Sequence, residues 1–197
     1  MNNIQKGLGG LTISISMIIG SVVLVEGGYS DHPEDTGGPT RYGITEKVAR
    51  ANGYKGSMDE LPLLVAESIY QTTYVTNPSY DKVMLLSKPV AHKLIDTGVN
   101  VGTRRASMWF QVSLNALNRN GKDYAKIAED GDIGPATLAA YNALVTTRGS
   151  AKACSLVLKL VDVQQGNHYL NLTKHRSFTV GWVDNRIQNI PISDCNE

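Results

Sequence analysis

Apolar residues recur every three or four positions through most of the chain after residue 45, which predicts a mainly α-helical protein. Thr45 is a residue type that caps helices, and the acidic Glu46 after it suits a first turn. A helix is therefore predicted to begin near Thr45 and to end at Gly53. Patterns typical of strands are confined to the region that follows Glu26, where a small hairpin or loop is expected.

A second helix is predicted to begin near Ser57 or Asp59 and to end before Pro78, because the residue before a proline disfavours helical geometry. Its larger apolar residues recur with a helical period. They are expected to share one buried face: Leu64, Val65, Ile69 and Tyr70.

Two later helices are predicted to begin at prolines, which favour the first helical turn: Pro89 and Pro135. In the helix from Pro89, the residues expected to face the core are Leu94, Ile95 and Val99. Residues 103–121 have the clearest two-sided pattern, with apolar Met108, Trp109, Val112, Leu114 and Leu117. Residues 150–172 are predicted to form a helix pair, or one helix broken around Gly166.

The N-terminal residues 8–25 carry no charge, and as a helix they would span about 27 Å, close to the hydrocarbon core of a bilayer. Lys6 before the run predicts a cytoplasmic N-terminus. Three glycines, three serines and a threonine dilute the apolar residues, so insertion should be weak. A weak, uncleaved anchor is the favoured interpretation; a buried helix and a cleaved signal peptide are the alternatives.

The overall charge excludes little. Lys and Arg total 19 and Asp and Glu total 18, so no basic surface for nucleic acid is indicated. Cys154 and Cys195 are too few for a disulfide framework, and whether they pair is left open. Asp130 and Asp132 have the spacing of a calcium loop, but the required glutamate is replaced by Tyr141. No metal or cofactor is predicted.

A glycine-rich loop, "EGGYSDHPEDTGGPTRYGIT", follows the apolar run directly. Glu26 at the end of that run is expected to be partly desolvated, which raises the pKa of a carboxyl group and suits a general acid. Asp35 in the open part of the loop should stay ionised. Two carboxyl groups in different environments are typical of glycosidases. An interfacial glutamate and a solvated acidic loop are the alternative interpretation.

The same loop resembles the N-terminal signature of glycoside hydrolase family 108, the phage endolysins and bacterial muramidases of the lysozyme-like superfamily. The matching positions are Glu26, Gly27, Gly28, Tyr29, Asp35, Gly37, Gly38, Thr40, Gly43 and Ile44. The resemblance implies that Glu26, Asp35 and Thr40 are catalytic. Tyr29, Tyr42 and Trp182 are candidates to bind sugar rings.

Three later segments extend the resemblance. Residues 95–115 look like the family's Phe-Asp-x-x-Val-Asn-x-Gly region, and residues 129–142 resemble an element of its peptidoglycan-binding-like part. Residues 178–187 resemble its closing Gly-Trp-x-x-Arg, although three residues separate Trp182 from Arg186 here. The implied fold is mainly α and lysozyme-like, with an N-terminal segment 1–25, a catalytic region 26–115 and a helical C-terminal region 116–197.

A Gly/Ser-rich anchor before the glutamate resembles the signal-arrest-release endolysins. That subtype implies export by the host Sec machinery, tethering in the inner membrane through residues 8–25, and release into the periplasm. The expected enzyme is a monomeric lysozyme that hydrolyses the β-1,4 bond between N-acetylmuramic acid and N-acetylglucosamine during host lysis. A lytic transglycosylase and a non-catalytic wall-binding protein are the alternatives.

Overall fold

The computed structural model describes residue 20, residues 28–30 and residues 38–196. The chain divides into two compact units, Met1–Thr73 and Tyr74–Glu197. The predicted mainly helical architecture with a small β region is confirmed. The domain boundaries placed after residues 25 and 115 stay a prediction.

The first unit contains a three-stranded antiparallel sheet in the order β1-β2-β3, followed by short helices. The strands are β1 (Tyr29–Ser30), β2 (Thr40–Arg41) and β3 (Ile44–Thr45). The helices are α1 (Glu46–Ala51), a 3-10 turn (Met58–Glu60) and α2 (Leu63–Gln71). A π-helical turn (Thr72–Thr76) follows α2, and the boundary between the two units falls within it.

Thr45 caps α1 as predicted, since its hydroxyl oxygen accepts the N–H of Val48 at 3.4 Å. The predicted second helix is shorter than expected, because Pro62 separates the 3-10 turn from α2. Its expected apolar face is wrong at Leu64, which is 79% exposed. The buried face instead passes through residues spaced three and four apart, which lie on one side of a helix: Ala66, Ile69 and Tyr70.

The second unit is helical, with α3 (Tyr80–Met84), α4 (Lys88–Val101), α5 (Thr103–Leu117), α6 (Pro135–Arg148), α7 (Ser150–Asn171) and α8 (Thr179–Arg186). Two 3-10 segments, Thr173–Phe178 and Ile192–Asn196, complete it. Helix α7 contacts α4, α5, α6, α8 and the C-terminal 3-10 segment. It is the element around which this unit packs.

Both proline-led helix starts are confirmed. Ser87 caps α4 through its hydroxyl, and Pro89 lies in the first turn. Pro135 is the first residue of α6. Leu94 and Ile95 are buried as predicted, whereas Val99 is half-buried.

The predicted face of α5 differs from the observed one. Met108 is exposed, and Trp109 and Val112 are half-buried, while the polar residues Gln111 and Ser113 are buried. These two side chains are tolerated there because they are hydrogen-bonded; Ser113 donates to the carbonyl of Trp109 at 2.7 Å. A periodicity count assigns polar residues to the surface and cannot anticipate such partners.

Helix α7 is continuous, so both expectations of a break near Gly166 are wrong. A glycine inside a helix costs about 1 kcal/mol. Burial of neighbouring α7 side chains, among them Val161, Gln165 and Tyr169, offsets that cost. Tertiary packing therefore determines the length of this helix.

The C-terminal tail is fastened to α7 by a disulfide between Cys154 and Cys195, whose Cα atoms are 5.7 Å apart. The pairing that the sequence left open is thus present. Nearby, the Lys93 ammonium group donates to the carbonyl of Arg186 at 2.6 Å and to Oδ1 of Asn189 at 3.0 Å. The chain after α8 is therefore held by both a covalent bond and a buried cation.

Within the described part of the chain, no helix is both long enough and apolar enough to cross a bilayer. The predicted anchor, residues 8–25, lies outside the described residues except for Gly20.

Candidate functional site

The candidate site in the first unit is organised by a tight turn between β2 and β3. Arg41 pairs with Ile44, which leaves Tyr42 and Gly43 as a two-residue hairpin turn. Their φ angles are 53° and 72°, the pattern of a type I′ turn. Glycine adopts this geometry freely, whereas a tyrosine with positive φ is uncommon. Tyr42 is thus held in a strained conformation.

Tyr70 on α2 fixes that turn. Its hydroxyl donates a hydrogen bond of 2.9 Å to the carbonyl oxygen of Tyr42. Tyr70 is only 3% exposed, so the bond is made from inside the fold. Strained backbone that the surrounding structure enforces is a feature found often at functional sites.

Three of the predicted site residues meet on the small sheet: Tyr29, Thr40 and Tyr42. In the strand register Thr40 pairs with Ser30 and with Thr45, and Tyr29 pairs with Arg41. Paired residues share a face, so Thr40 lies among hydroxyl side chains while Tyr29 and Arg41 lie on the other face. The Thr40 hydroxyl donates to the carbonyl of Gly38 at 3.2 Å, which leaves its oxygen able to accept a further hydrogen bond.

Sequence reasoning missed Arg41. Its guanidinium carbon lies 5.1 Å from the centre of the Tyr42 ring, a cation–π contact. The residue is half-buried and adjacent to Thr40. Arg41 lies between the candidate residues Thr40 and Tyr42 inside the motif, and this position was the signal that could have identified it. It adds a fixed positive charge to this sheet.

The two predicted catalytic carboxylates, Glu26 and Asp35, lie outside the described residues. Their roles and their spatial relation to Thr40 stay predictions.

Trp182 lies on α8 in the second unit and forms the middle of an aromatic stack. Its ring centre is 5.3 Å from that of Tyr169 and 5.8 Å from that of Phe178, both in stacked orientation. Tyr169 is buried and its hydroxyl donates to Oδ1 of Asn100 at 2.6 Å. Burial raises the pKa of Tyr169 to about 12, so it stays a hydrogen-bond donor. The role of Trp182 in sugar binding stays a prediction.

Two of the sequence motifs meet in an ion pair. Arg186, from the closing segment 178–187, donates to Oδ1 of Asp96 on α4 at 2.6 Å. Asp96 and Asn100 both belong to the segment 95–115, and both face partners from the C-terminal helices. These motif residues therefore have a structural role in joining α4 to α7 and α8.

A third motif, residues 129–142, begins with a loop that Gln111 holds and continues into α6. The Gln111 amide donates to Asp130 Oδ1 at 2.8 Å and to the carbonyl of Asp132 at 3.0 Å, and its oxygen accepts the N–H of Gly131 at 2.8 Å. The hydrogen bond from the Asp132 N–H, together with that from Gln111, lowers the pKa of Asp130. No group of three metal-binding side chains occurs among the residues that the structure describes.

Comparisons with known proteins match each part of the chain to a family. Residues 19–102 match the model described as "Glycosyl hydrolase 108". Residues 105–187 match the model described as "Predicted Peptidoglycan domain". Among solved structures, Brucella abortus SagA is similar, with a TM-score of 0.70 and 25% identity over 94% of this chain and 95% of that one. No curated protein sequence matches. The fold is lysozyme-like.

Proposed function

We infer that this chain is a member of the glycosyl hydrolase 108 family and a glycosidase that acts on peptidoglycan. The observation that carries this inference is the order of two matched regions on one chain, a glycosyl hydrolase 108 domain followed directly by a predicted peptidoglycan domain. The match to a glycosyl hydrolase indicates the reaction, and the match to a peptidoglycan domain indicates the class of substrate.

The finer proposal is a lysozyme that hydrolyses the β-1,4 bond between N-acetylmuramic acid and N-acetylglucosamine. Glu26 protonates the leaving oxygen, and the Asp35 carboxylate stabilises the oxocarbenium-like transition state or positions water. Thr40 holds that water through the free acceptor capacity of its hydroxyl oxygen. The sequence positions of Glu26 and Asp35, and the fixed geometry of the strand that carries Thr40, support these roles.

The small sheet is also suited to contact the glycan. Tyr29 is 47% exposed and pairs with Arg41, so an aromatic ring and a cation share one face. An aromatic ring can stack on a sugar ring, and a guanidinium group can donate hydrogen bonds to the lactyl and acetamido carbonyl oxygens of N-acetylmuramic acid. Tyr42 beneath the Arg41 guanidinium keeps the cation in place.

The reaction type is tested by the products. Full-length protein incubated with purified sacculi is expected to release soluble muropeptides with reducing N-acetylmuramic acid ends, detected by mass spectrometry after borohydride reduction. Products that carry 1,6-anhydro ends would instead indicate a lytic transglycosylase. Binding to sacculi without release of any muropeptide would indicate a wall-binding protein and contradict the enzymatic proposal.

The proposed biological setting is lysis of a bacterial host by a phage enzyme that waits in the inner membrane. Residues 8–25 are long and apolar enough for a weak anchor, and export by Sec places the enzyme in the periplasm. The Cys154–Cys195 disulfide supports this setting, because disulfides persist in oxidising compartments. While residues 8–25 lie in lipid, Glu26 is held at the headgroup boundary, and release lets it join the rest of its site.

Fractionation of expressing cells tests this delivery. Full-length protein is expected in the membrane fraction before depolarisation and in the soluble periplasmic fraction afterwards. Immunoblotting locates the protein, and intact-mass measurement shows whether it is full-length. A shortened soluble product would indicate a cleaved signal peptide. Protein that is soluble and full-length before depolarisation would rule out the anchor.

A further inference from the structure

A groove of about 530 Å³ lies in the second unit, at the C-terminal end of α5 and along the loop that follows. Its volume is within the usual range for small-molecule sites. The polar and charged residues that line it are Asn115, Asn118, Asn120, Lys126 and Glu129, and Val112 adds an apolar side chain. All of them fall within the region matched by the peptidoglycan domain.

The loop that forms the groove is anchored from several directions. The Asn115 amide group makes two hydrogen bonds of 2.9 Å to the backbone of Ile127, one as donor and one as acceptor. Asn118 is buried, and its side-chain oxygen accepts the N–H of Gly121 at 3.1 Å. The Tyr124 hydroxyl donates to the carbonyl of Leu114 at 2.7 Å. The wall of the groove is thus a fixed structure.

Three consecutive residues give this wall its shape. Arg119, Asn120 and Gly121 all have positive φ angles, of 53°, 59° and 80°. The first two are non-glycine residues, and such conformations are unfavourable unless other contacts enforce them. Here Arg119 is held by paired hydrogen bonds to the Asp123 carboxylate. The turn exposes Asn120 at the edge of the groove.

The groove carries charges of both signs. Lys126 and Glu129 are exposed, and neither forms an ion pair with any residue between 38 and 196. Glu129 accepts a hydrogen bond of 2.7 Å from the Asn115 amide, which orients its carboxylate. By contrast, the neighbouring Arg119 and Arg148 both pair with Asp123. A free cation and an oriented anion therefore remain for a ligand.

Peptidoglycan offers two chemically different surfaces to such a groove. Its glycan is largely neutral and is usually recognised by aromatic rings, and no aromatic side chain is among the described residues that line the groove. Its stem peptides carry free carboxylates and, in the diamino acid, an amino group. Lys126 and Glu129 complement that pair of charges, and the asparagine amides complement peptide N–H and C=O groups.

We propose that this groove binds the stem peptide of peptidoglycan, with Lys126 facing a carboxylate and Glu129 facing the amino group of the diamino acid. The choice of peptidoglycan rests on the proposed function; the choice of peptide over glycan rests on the groove. A peptide site on the same chain as a glycan-cleaving domain raises the effective concentration of glycan at that domain.

Calorimetry with full-length protein tests the proposal, with an N-acetylmuramyl tripeptide that ends in a diamino acid as the ligand. This probe has no glycosidic bond to cleave. Lys126→Ala and Glu129→Gln are each expected to weaken binding about fivefold. Glu129→Gln keeps the acceptor for Asn115, so the wall stays intact. Lys122→Ala, an exposed lysine of the same loop that does not line the groove, is the matched control and should bind as the wild type does.

Modified ligands separate the two charges. Acetylating the amino group of the diamino acid should weaken binding to the wild type and have little further effect on Glu129→Gln. Equal binding by the wild type and both groove variants, or an equal loss in Lys122→Ala, would overturn the proposal. If the wild type degrades sacculi but neither substitution changes peptide binding, the groove proposal alone is refuted. If both substitutions weaken peptide binding but the wild type does not degrade sacculi, the proposed hydrolase activity is refuted instead.

Discussion

Replacing Glu26 with glutamine is expected to lower the rate of peptidoglycan cleavage by about 10²–10⁴-fold, the usual contribution of a general acid. Glutamine has nearly the shape of glutamic acid but carries no acidic proton, so the leaving oxygen would depart unprotonated. The rate of release of soluble muropeptides from sacculi is the measurement. Sacculus binding, measured by co-sedimentation, should be retained, because the substitution preserves size.

The control for this prediction is Glu34→Gln, the same chemical change within the same loop. Glu34 has no assigned role, so its variant should cleave at the wild-type rate. The pH dependence gives a second test. A general acid acts in its protonated form, so the wild-type kcat/KM should fall as pH rises through the pKa of Glu26, and the Glu26→Gln profile should lack that decline. A Glu26→Gln enzyme with wild-type rate would exclude the acid role.

Local signals in the sequence were sufficient for much of the fold. The cap at Thr45 and the starts of α4 and α6 near Pro89 and Pro135 depend on residues next to one another in the chain. Such features act within one or two turns, so the sequence pattern identifies them directly. The mainly helical class follows from the same periodicity.

The failures have a common physical cause, since each depends on distant residues. Gln111 is buried because backbone groups and Asp130 from residues 130–132 saturate its amide. α7 continues through Gly166 because the helix packs along its length. Leu64 is exposed because Ala66, Ile69 and Tyr70 define the buried side of α2.

In the candidate site, too, the sequence identifies features that depend on neighbouring residues and misses those that depend on distant ones. The loop motif placed Tyr29, Thr40 and Tyr42 in one neighbourhood, and the sheet brings them together. Tyr70, whose hydroxyl fixes the turn from 28 residues away, had no local signal. Neither did the groove, whose wall depends on contacts between α5 and the loop after it. Glu26 and Asp35 are identified by motif alone.

Replacing Lys93 with methionine is expected to lower the free energy of unfolding of the second unit by about 3–5 kcal/mol. Lys93 is 1% exposed, and its ammonium group lies 2.6 Å from Oδ1 of Asp162. Methionine fills a similar volume without a charge, so the Asp162 carboxylate would remain buried with no counter-ion. Urea unfolding followed by tryptophan fluorescence measures this, because both tryptophans, Trp109 and Trp182, lie in the second unit. Lys159→Met, an exposed position on α7, is the matched control.

The double variant Lys93→Met/Asp162→Leu separates charge burial from the other contacts of Lys93. With both charges removed, no unpaired carboxylate remains, and an apolar pair is often as stable as the ion pair it replaces. The carbonyl of Arg186 and the amide oxygen of Asn189 still lose their donor, so a residual cost of about 1–3 kcal/mol is expected. A double variant no more stable than the single one would contradict this account. It would show that Lys93 stabilises the unit mainly by holding the chain after α8, and that its charge pairing with Asp162 is secondary.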